Sequence, residues 1–248
     1  MKILSKLSRK VSSFTSYIED YKLLQVRLEG GIPTLYQELD LPWFRDLGIS
    51  TVLDIGANIG QSTITLNKLL PDAQIYAFEP IPDCFSQLEH RFNGCGNVKT
   101  INLGLGAESG EITFEKNSYS PSSSFLKMTD THKKAFPFTE KSEEIKVQIE
   151  RLDDVVGSLE LKEPIMAKID VQGFEDKVIA GGQETLKRCQ IVILETSFVT
   201  LYEDQPLFHD IYQLMVNIGF HYAGSVGHLL DPHTKKCLQS DILFIRTR

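Results

Sequence analysis

The chain has 248 residues and a formal net charge of −7 at pH 7. A chain of this length buries about three quarters of the surface that it exposes when unfolded, so its core needs neither disulfides nor a structural metal. Acidic and basic residues are interspersed, which disfavours the clustered basic surface of a nucleic-acid-binding protein. No apolar stretch approaches the roughly 20 residues of a membrane span, and the four cysteines lack metal-binding spacing. We expect a cytoplasmic protein with reduced thiols.

Residues 1–48 are predicted to form an N-terminal helical extension to a main domain at residues 49–248. In residues 1–30, apolar side chains recur every three or four positions, which predicts an amphipathic helix. Its early charged residues are all basic, namely Lys2, Lys6, Arg9 and Lys10. Such a helix could contact a membrane surface or serve as a transit peptide, but we favour packing on the domain or on a second subunit of a homodimer. Residues 33–48 are predicted to form a second helix, which begins at a proline.

The stretch from Thr51 to Gly60, TVLDIGANIG, predicts a buried strand that is followed by a glycine turn and a helix. Helical spacing of apolar residues then continues as far as Pro71. Gly56 and Gly60, on either side of Asn58, let the backbone turn tightly and approach a ligand without a Cβ in the way. The amides at the start of the helix would point into the space above the strand.

The second predicted strand, residues 73–80 (AQIYAFEP), ends at Glu79 and Pro80, and both are candidate cofactor-binding residues. An acidic residue about 20 positions after the glycines can accept hydrogen bonds from both ribose hydroxyls of a nucleoside. Gln61 stands where a dinucleotide-binding turn has its third glycine, and Asp54 lies close beneath the turn, where a carboxylate suits a cationic ligand. These features favour S-adenosylmethionine, which has no phosphate, over NAD. An NAD-dependent oxidoreductase is the alternative.

Strands and helices alternate over most of the remaining chain, which predicts a mainly parallel sheet in a three-layer α/β fold. The predicted strands are residues 98–105, 165–173, 191–197, 222–230 and 241–246, and the predicted helices are residues 82–92, 174–180 and 207–218. Residues 110–150 break this pattern as an insertion. Their two alternating stretches, 110–115 and 144–150, predict an antiparallel ribbon. The polar loop between these stretches either contacts the substrate or is a flexible surface loop.

Candidate catalytic residues lie near the tips of the fourth and fifth strands, at Asp170 and Glu195. Because ligands bind at the carboxyl ends of parallel strands, these acids should share an edge with Gly56 and Glu79. Each acid also has a structural interpretation, in which Asp170 pairs with Lys168 and Glu195 caps a helix. The two carboxylates could hold a divalent metal, but no third ligand is identifiable, so we assign no metal site.

With these residues in place, the chain resembles the FkbM-type family of class I S-adenosylmethionine-dependent methyltransferases. The matching stretches are VLDIGANIGQ (52–61), AFEP (77–80), INLGLG (101–106), SSSF (122–125) and KIDVQGFEDKVIAGG (168–182). The last stretch is the most specific to the family. Relatives usually carry glutamate at the position of Gln172, so we do not assign the general base there.

The resemblance implies a Rossmann-like sandwich with a seven-stranded, mainly parallel sheet whose last strand is antiparallel. It implies contacts with S-adenosylmethionine through Gly56, Asn58 and Gly60 at the methionine part, Glu79 at the ribose, Leu103 and Gly104 at the adenine, and Ser124 from the inserted loop. It also implies O-methylation of a small-molecule or glycan acceptor, such as a sugar or a secondary metabolite. Asp170 or Glu195 would then be the general base. A non-catalytic S-adenosylmethionine-binding protein is a second alternative.

Overall fold

The structure, a computed structural model, describes residues 20–117 and 142–246. The helices are Tyr21–Leu28 (α1), Pro33–Leu39 (α2), Pro42–Arg45 (α3), Gln61–Leu69 (α4), Pro82–Phe92 (α5), Leu152–Val155 (α6), Glu175–Gly181 (α7), Gln183–Arg188 (α8) and Phe208–Asn217 (α9). The strands are Thr51–Ile55 (β1), Gln74–Phe78 (β2), Val98–Ile101 (β3), Gly104–Leu105 (β4), Gly110–Asn117 (β5), Ser142–Glu150 (β6), Ile165–Ile169 (β7), Cys189–Ser197 (β8), His221–Leu230 (β9) and Cys237–Ile245 (β10).

Seven strands form the central sheet, in the order β3-β2-β1-β7-β8-β10-β9. The neighbours from β3 to β8 pair in parallel. Within the described sheet, β10 alone runs in the opposite direction to the other six strands, and it pairs with β8 and β9 in antiparallel fashion. The predicted fold class, including the antiparallel last strand, is therefore confirmed. The carboxyl ends of β1, β2, β3, β7 and β8 meet at one edge of the sheet, which we call the carboxyl edge.

Two hydrophobic layers cover the two faces of this sheet. Because side chains alternate along a strand, Leu53 faces the layer that contains Ile211 of α9, together with residues of α6, α7 and α8. Val52 faces the opposite layer, which contains Leu39 of α2 and Leu66 of α4. Burial on both faces explains why β1 and β7 are mainly apolar, with Asp54 and Lys168 as their charged residues. Helices on both faces give the expected three layers.

The prediction of a single strand over residues 98–105 was wrong. The chain bends after Ile101, because the amide of Leu103 donates back to the Ile101 carbonyl at 3.0 Å. Gly104–Leu105 then forms β4, which pairs with β6 in a separate three-stranded sheet of order β4-β6-β5. The antiparallel ribbon was predicted correctly, and its two strands are longer than expected.

The N-terminal segment that the structure describes packs on the domain. Leu23 and Val26 of α1 are buried in one cluster with Tyr36 of α2, and Leu69 of α4 in the main domain packs against this cluster. The single helix predicted over residues 33–48 is divided into α2 and α3, because Leu41 precedes Pro42 and is extended, with φ −118° and ψ 151°. The boundary between an extension and a domain at residues 48 and 49, the membrane contact and the homodimer stay predictions.

Candidate cofactor and active site

The glycine turn after β1 is held against the ends of two neighbouring strands. The amides of Gly56 and Ala57 both donate to the carbonyl of Phe78 at the end of β2, at 3.0 and 2.9 Å. Gly56 has φ +82°, and a Cβ at this position would lie 2.0 Å from the Asp170 backbone oxygen. Only glycine therefore fits, since the conformation is left-handed and the tip of β7 leaves no space.

Asp54 lies beneath this turn and is fully buried. Its carboxylate accepts hydrogen bonds from the hydroxyl of Ser62, at 2.8 and 3.0 Å, and from that of Thr63, at 2.6 Å. Burial raises the pKa of Asp54, while nearby Lys168 and these hydroxyls oppose the shift. Asp54 thus ties β1 to the first turn of α4 and supports the turn from below. Its direct contact with a cationic ligand stays a prediction.

Glu79 lies at the tip of β2 beside the turn, as expected, and is 4% exposed. One carboxylate oxygen accepts the amide of Asn58 at 2.8 Å, and the other accepts the amide of Ile81 at 2.8 Å. Asn58 has a positive φ of 52°, which aims its amide at Glu79. A carboxylate has about four acceptor positions, so Glu79 retains capacity for the two hydroxyls of a ribose. The second strand and the glycine turn are therefore brought together through one side chain.

The segment after β3 continues the same edge. The side-chain amide of Asn102 donates to the carbonyls of Glu79 and Pro80, at 2.8 and 3.2 Å, and so fixes the end of β2. Leu103 is half-buried at this position and Gly104 is buried in β4. Their contact with an adenine, like the contacts assigned to Pro80 and Gly60, stays a prediction. Ser124 lies outside the described residues.

Two buried glutamates near the edge have strongly raised pKa values. Burial raises the pKa of Glu79 to about 7, although its backbone hydrogen bonds act in the opposite direction. Glu175 is 2% exposed and accepts the amides of Val171 and Gly173, both at 3.1 Å. Burial raises its pKa to about 7 as well. Each group therefore holds a proton in the folded protein at a pH where the unfolded chain has lost it.

From these raised pKa values we expect the ligand-free protein to become more stable as the pH falls from 8 to 6. The folded state binds more protons than the unfolded state between the unfolded pKa near 4.5 and the folded pKa near 7. The resulting stability is fully present below the unfolded pKa and is lost as the pH rises through the folded pKa. Each group should add about 1 kcal/mol to the free energy of unfolding between pH 7 and pH 6. Denaturant unfolding at several pH values measures this. Glu79→Gln and Glu175→Gln should each flatten the slope, and an unchanged slope in both variants would contradict the prediction.

A buried ion pair marks the end of β7. Lys168 is 2% exposed, and its ammonium lies 2.9 Å from a carboxylate oxygen of Asp170. Burial alone would lower the pKa of Lys168, but the charges of Asp170, Asp241 and Asp54 outweigh burial and raise it. Burial acts to raise the pKa of Asp170, but Lys168 prevails and lowers it. The predicted pairing of Lys168 with Asp170 is confirmed. Since the Asp170 side chain is 29% exposed, it is also accessible to a ligand.

Gln172 links the two predicted catalytic acids. Its side-chain NH₂ donates to Asp170 at 2.8 Å and to Glu195 at 2.7 Å. Its carbonyl oxygen accepts the Tyr202 hydroxyl at 2.9 Å, which fixes the orientation of the amide. Glu195 also accepts the side-chain amide of Gln239 at 3.0 Å. The structure thus brings Asp170 and Glu195 together, and Glu195 contacts two side-chain amides rather than capping a helix.

The two acids have opposite pKa shifts. Burial and the charges of Asp170 and Asp241 raise the pKa of Glu195 well above its usual value. Burial also raises the pKa of Asp241 to about 6, and Asp241 lies opposite Glu195 in the register of β10 with β8. The carboxyl of Asp170 therefore loses its proton at a lower pH than the carboxyl of Glu195 beside it.

Sequence reasoning missed Asp241, Gln239 and Tyr202 as members of this cluster. Asp241 interrupts an apolar strand in the same way as Lys168, and this signal was available. Tyr202 has no comparable local signal, because it reaches Gln172 from the segment between β8 and α9.

Among the described residues, no group of three or more His, Cys, Asp or Glu side chains is arranged to hold a metal ion. No helix in residues 20–117 and 142–246 has the length and hydropathy needed to cross a bilayer.

The chain is similar in sequence to proteins that are named as methyltransferases. The chain is 28% identical over 170 residues to the 2-O-methyltransferase NoeI of Sinorhizobium fredii, covering 66% of this chain and 70% of that protein. It is 34% identical over 143 residues to the hexuronic acid methyltransferase AglP of Haloferax volcanii, covering 57% of this chain and 54% of that protein. The chain therefore spans about half the length of AglP.

Solved structures similar to the chain include a magnesium protoporphyrin IX methyltransferase from Synechocystis with bound S-adenosylmethionine. It has 13% identity and a TM-score of 0.46, over 86% of this chain and 80% of that chain. The family model described as the methyltransferase FkbM domain matches residues 54–222, which contain the glycine turn, Glu79, Asp170 and Glu195. The chain belongs to the FkbM methyltransferase family.

Proposed function

We propose that this protein is an S-adenosylmethionine-dependent O-methyltransferase that acts on a hydroxyl of a sugar or a related small molecule. One observation carries the proposal: the glycine turn of β1, Glu79 of β2 and the linked acids Asp170 and Glu195 lie together at the carboxyl edge. The names of the relatives, a 2-O-methyltransferase and a hexuronic acid methyltransferase, support a carbohydrate acceptor. The cytoplasmic location stays a prediction.

The residues at the edge fit S-adenosylmethionine. Gly56 leaves the surface of the turn without a Cβ, and the two free acceptor positions of the Glu79 carboxylate match a pair of vicinal hydroxyls. Asp170, whose pKa is lowered by Lys168, places an ionised carboxylate at this edge, which favours a ligand that carries an ammonium and a sulfonium. When bound, the cofactor supplies an activated methyl group. The protein must then align the acceptor oxygen and take up its proton.

Asp170 is the group best placed to contact the acceptor hydroxyl. It is ionised because of Lys168, it is partly exposed, and its backbone touches the glycine turn. An ionised carboxylate accepts a hydrogen bond from the hydroxyl and orients the oxygen lone pair. Glu195 shares the Gln172 amide with Asp170 and, with its raised pKa, is the stronger proton acceptor once ionised. Two neighbouring acids with separated pKa values can divide orientation and proton transfer in this way.

The cofactor proposal is tested by the affinity for S-adenosylhomocysteine. Titration calorimetry should detect binding of this product and no binding of NAD. Glu79→Ala should weaken binding by about 1–3 kcal/mol, since two ribose hydroxyls would lose a charged acceptor. The exposed acid Glu89 of α5 gives a matched control, and Glu89→Ala should leave the affinity unchanged. An unaltered affinity in Glu79→Ala would remove Glu79 from the site.

A further inference from the structure

A cleft with a volume of about 500 Å³ lies beyond β8, on the face of the sheet that α9 covers. Its walls include the rings of Phe198, Phe208 and Tyr222, and the polar side chains of His228 and Ser240 lie among them. We call it the aromatic cleft. Its volume falls within the range of roughly 300–1,000 Å³ for small-molecule sites, which are also mainly apolar with a few placed polar groups.

The aromatic rings form one continuous surface that is open to solvent. The ring centroids of Phe198 and Phe208 are 5.5 Å apart, and those of Phe208 and Tyr222 are 6.2 Å apart. Phe198 is 42% exposed and Tyr222 is 49% exposed. Exposed aromatic rings that share a cleft are typical of a binding site rather than of an ordinary surface. The faces of these rings carry negative potential and attract the C–H groups of a ligand.

The hydrogen bonds around His228 fix its neutral tautomer. The Ser240 hydroxyl donates to the Gly227 carbonyl at 2.7 Å, and the Cys237 thiol donates to the Gln239 carbonyl at 3.3 Å. Nδ1 of His228 lies 2.9 Å from the Ser240 oxygen, which has no second proton to offer. Nδ1 must therefore donate, and Nε2 of the neutral ring carries a lone pair. Among the described residues, no hydrogen bond involves Nε2, so it can accept one from a ligand.

The aromatic cleft runs along the strands, from Tyr222, which is level with Val192 in β8, to His228 at the carboxyl edge, where the acid cluster also lies. His228 and Thr196 both pair with Ser240, so the polar end of the cleft is level with the tip of β8. From β7, which leads to Asp170, to β9, which carries His228, there are three strand spacings, a lateral distance of about 14 Å. The segment between β8 and α9 begins at Phe198 in the cleft and carries Tyr202, which contacts the acid cluster.

We infer that the aromatic cleft is an acceptor subsite for a pyranose ring that is not itself methylated. The C–H face of the ring packs on Phe198 and Tyr222, and a ring hydroxyl donates to Nε2 of His228. The lateral distance to Asp170 then suits an acceptor longer than one sugar, whose other end presents the reacting hydroxyl. This inference rests on the proposed function, and it narrows the substrate class to glycans or glycosides of at least two rings.

Saturation-transfer NMR tests the subsite with the full chain and S-adenosylhomocysteine. The probes are neutral and acidic monosaccharides and disaccharides, among them glucose, glucuronic acid, maltose and cellobiose. We expect saturation transfer to at least one disaccharide, reduced fivefold or more by Tyr222→Ala and by His228→Asn. The asparagine can still donate to Ser240 but has no group at the position of Nε2. Tyr212→Ala is the matched control, since Tyr212 is 40% exposed and contacts Phe208 outside the cleft.

The possible failures are distinguishable. If the wild type does not bind S-adenosylhomocysteine in calorimetry, the proposed function fails. If the wild type binds this product but no sugar receives saturation, the subsite is wrong and the proposed function stands. The same conclusion follows if the sugar signal survives both Tyr222→Ala and His228→Asn. If the signal is lost in Tyr222→Ala but retained in His228→Asn, the occupant is held by apolar contacts alone, and this result would also overturn the inference. Thermal unfolding checks each variant, and Phe198→Leu replaces Tyr222→Ala if the latter does not fold.

Discussion

Asp170→Asn should lower turnover by about 10²–10⁴-fold, the usual effect of losing a general acid–base group. Asparagine keeps the shape of the side chain and its contact with Gln172, but it cannot hold a full negative charge beside the acceptor hydroxyl. Binding of S-adenosylhomocysteine should largely survive, because the contact of Asp170 with the glycine turn is made by its backbone oxygen. Turnover on a methylated acceptor and calorimetry with the product measure the two effects separately.

The same substitution also removes the charged partner of a buried lysine. Lys168 is 3% exposed in its side chain, so we expect a loss of stability of about 3 kcal/mol, the lower range for breaking a buried ion pair. The double variant Lys168→Met with Asp170→Asn does not leave the Lys168 ammonium without its Asp170 partner. It therefore tests whether the loss of turnover comes from the missing carboxylate or from the lower stability. Magnesium followed by a chelator should leave wild-type turnover unchanged if Asp170 acts without a metal. Near-normal turnover in Asp170→Asn would make the residue structural and Glu195 the next candidate.

Gly56→Ala should destabilise the fold by at least about 3 kcal/mol and abolish cofactor binding. The new Cβ would lie 2.0 Å from the Asp170 backbone oxygen, and the residue would have to keep φ +82°. Neither partner can move freely, since the Gly56 amide bonds to Phe78 and the Asp170 amide bonds to Ile55. Denaturant unfolding and calorimetry with S-adenosylhomocysteine measure the two losses.

A control for this substitution is available in the same domain. A Cβ at Gly96 would meet no atom within 4 Å, and its φ is not in the left-handed range. Gly96→Ala should therefore change the free energy of unfolding by no more than about 0.5 kcal/mol. If Gly56→Ala folded and bound the product as well as Gly96→Ala did, the close approach of the turn to the tip of β7 would be wrong.

The position of Gln172 shows how this chain departs from the usual family pattern without losing the acid pair. The resemblance leads us to expect glutamate there, which would place a third carboxylate between Asp170 and Glu195. An amide instead supplies one proton to each carboxylate, and Tyr202 holds it in that orientation. The amide of Gln172 adds no charge between the two acids.

The elements that the sequence predicted well are those with strong periodicity or turn chemistry. The run from Thr51 to Gly60 predicted a buried strand and a glycine turn, and the alternation of strands and helices predicted a mainly parallel sheet in three layers. Predictions failed where a local bend overrode the pattern. The apolar run at residues 98–105 is divided by the turn at Leu103, because β4 gains a partner in β6 that lies far away in sequence.

The sequence by itself determined the fold class and the location of Gly56, Glu79, Asp170 and Glu195 near strand ends, because strand period and glycine placement are local properties. The family followed from the resemblance of its motifs, above all that of residues 168–182. Only the tertiary structure decided what these residues contact. Tyr202 orients Gln172 from 30 residues away, and Gln239 reaches Glu195 across 44 residues. It also decided the direction of the pKa shifts of Glu79 and Glu195, because these shifts depend on burial and on neighbouring charges that only the packed sheet brings together.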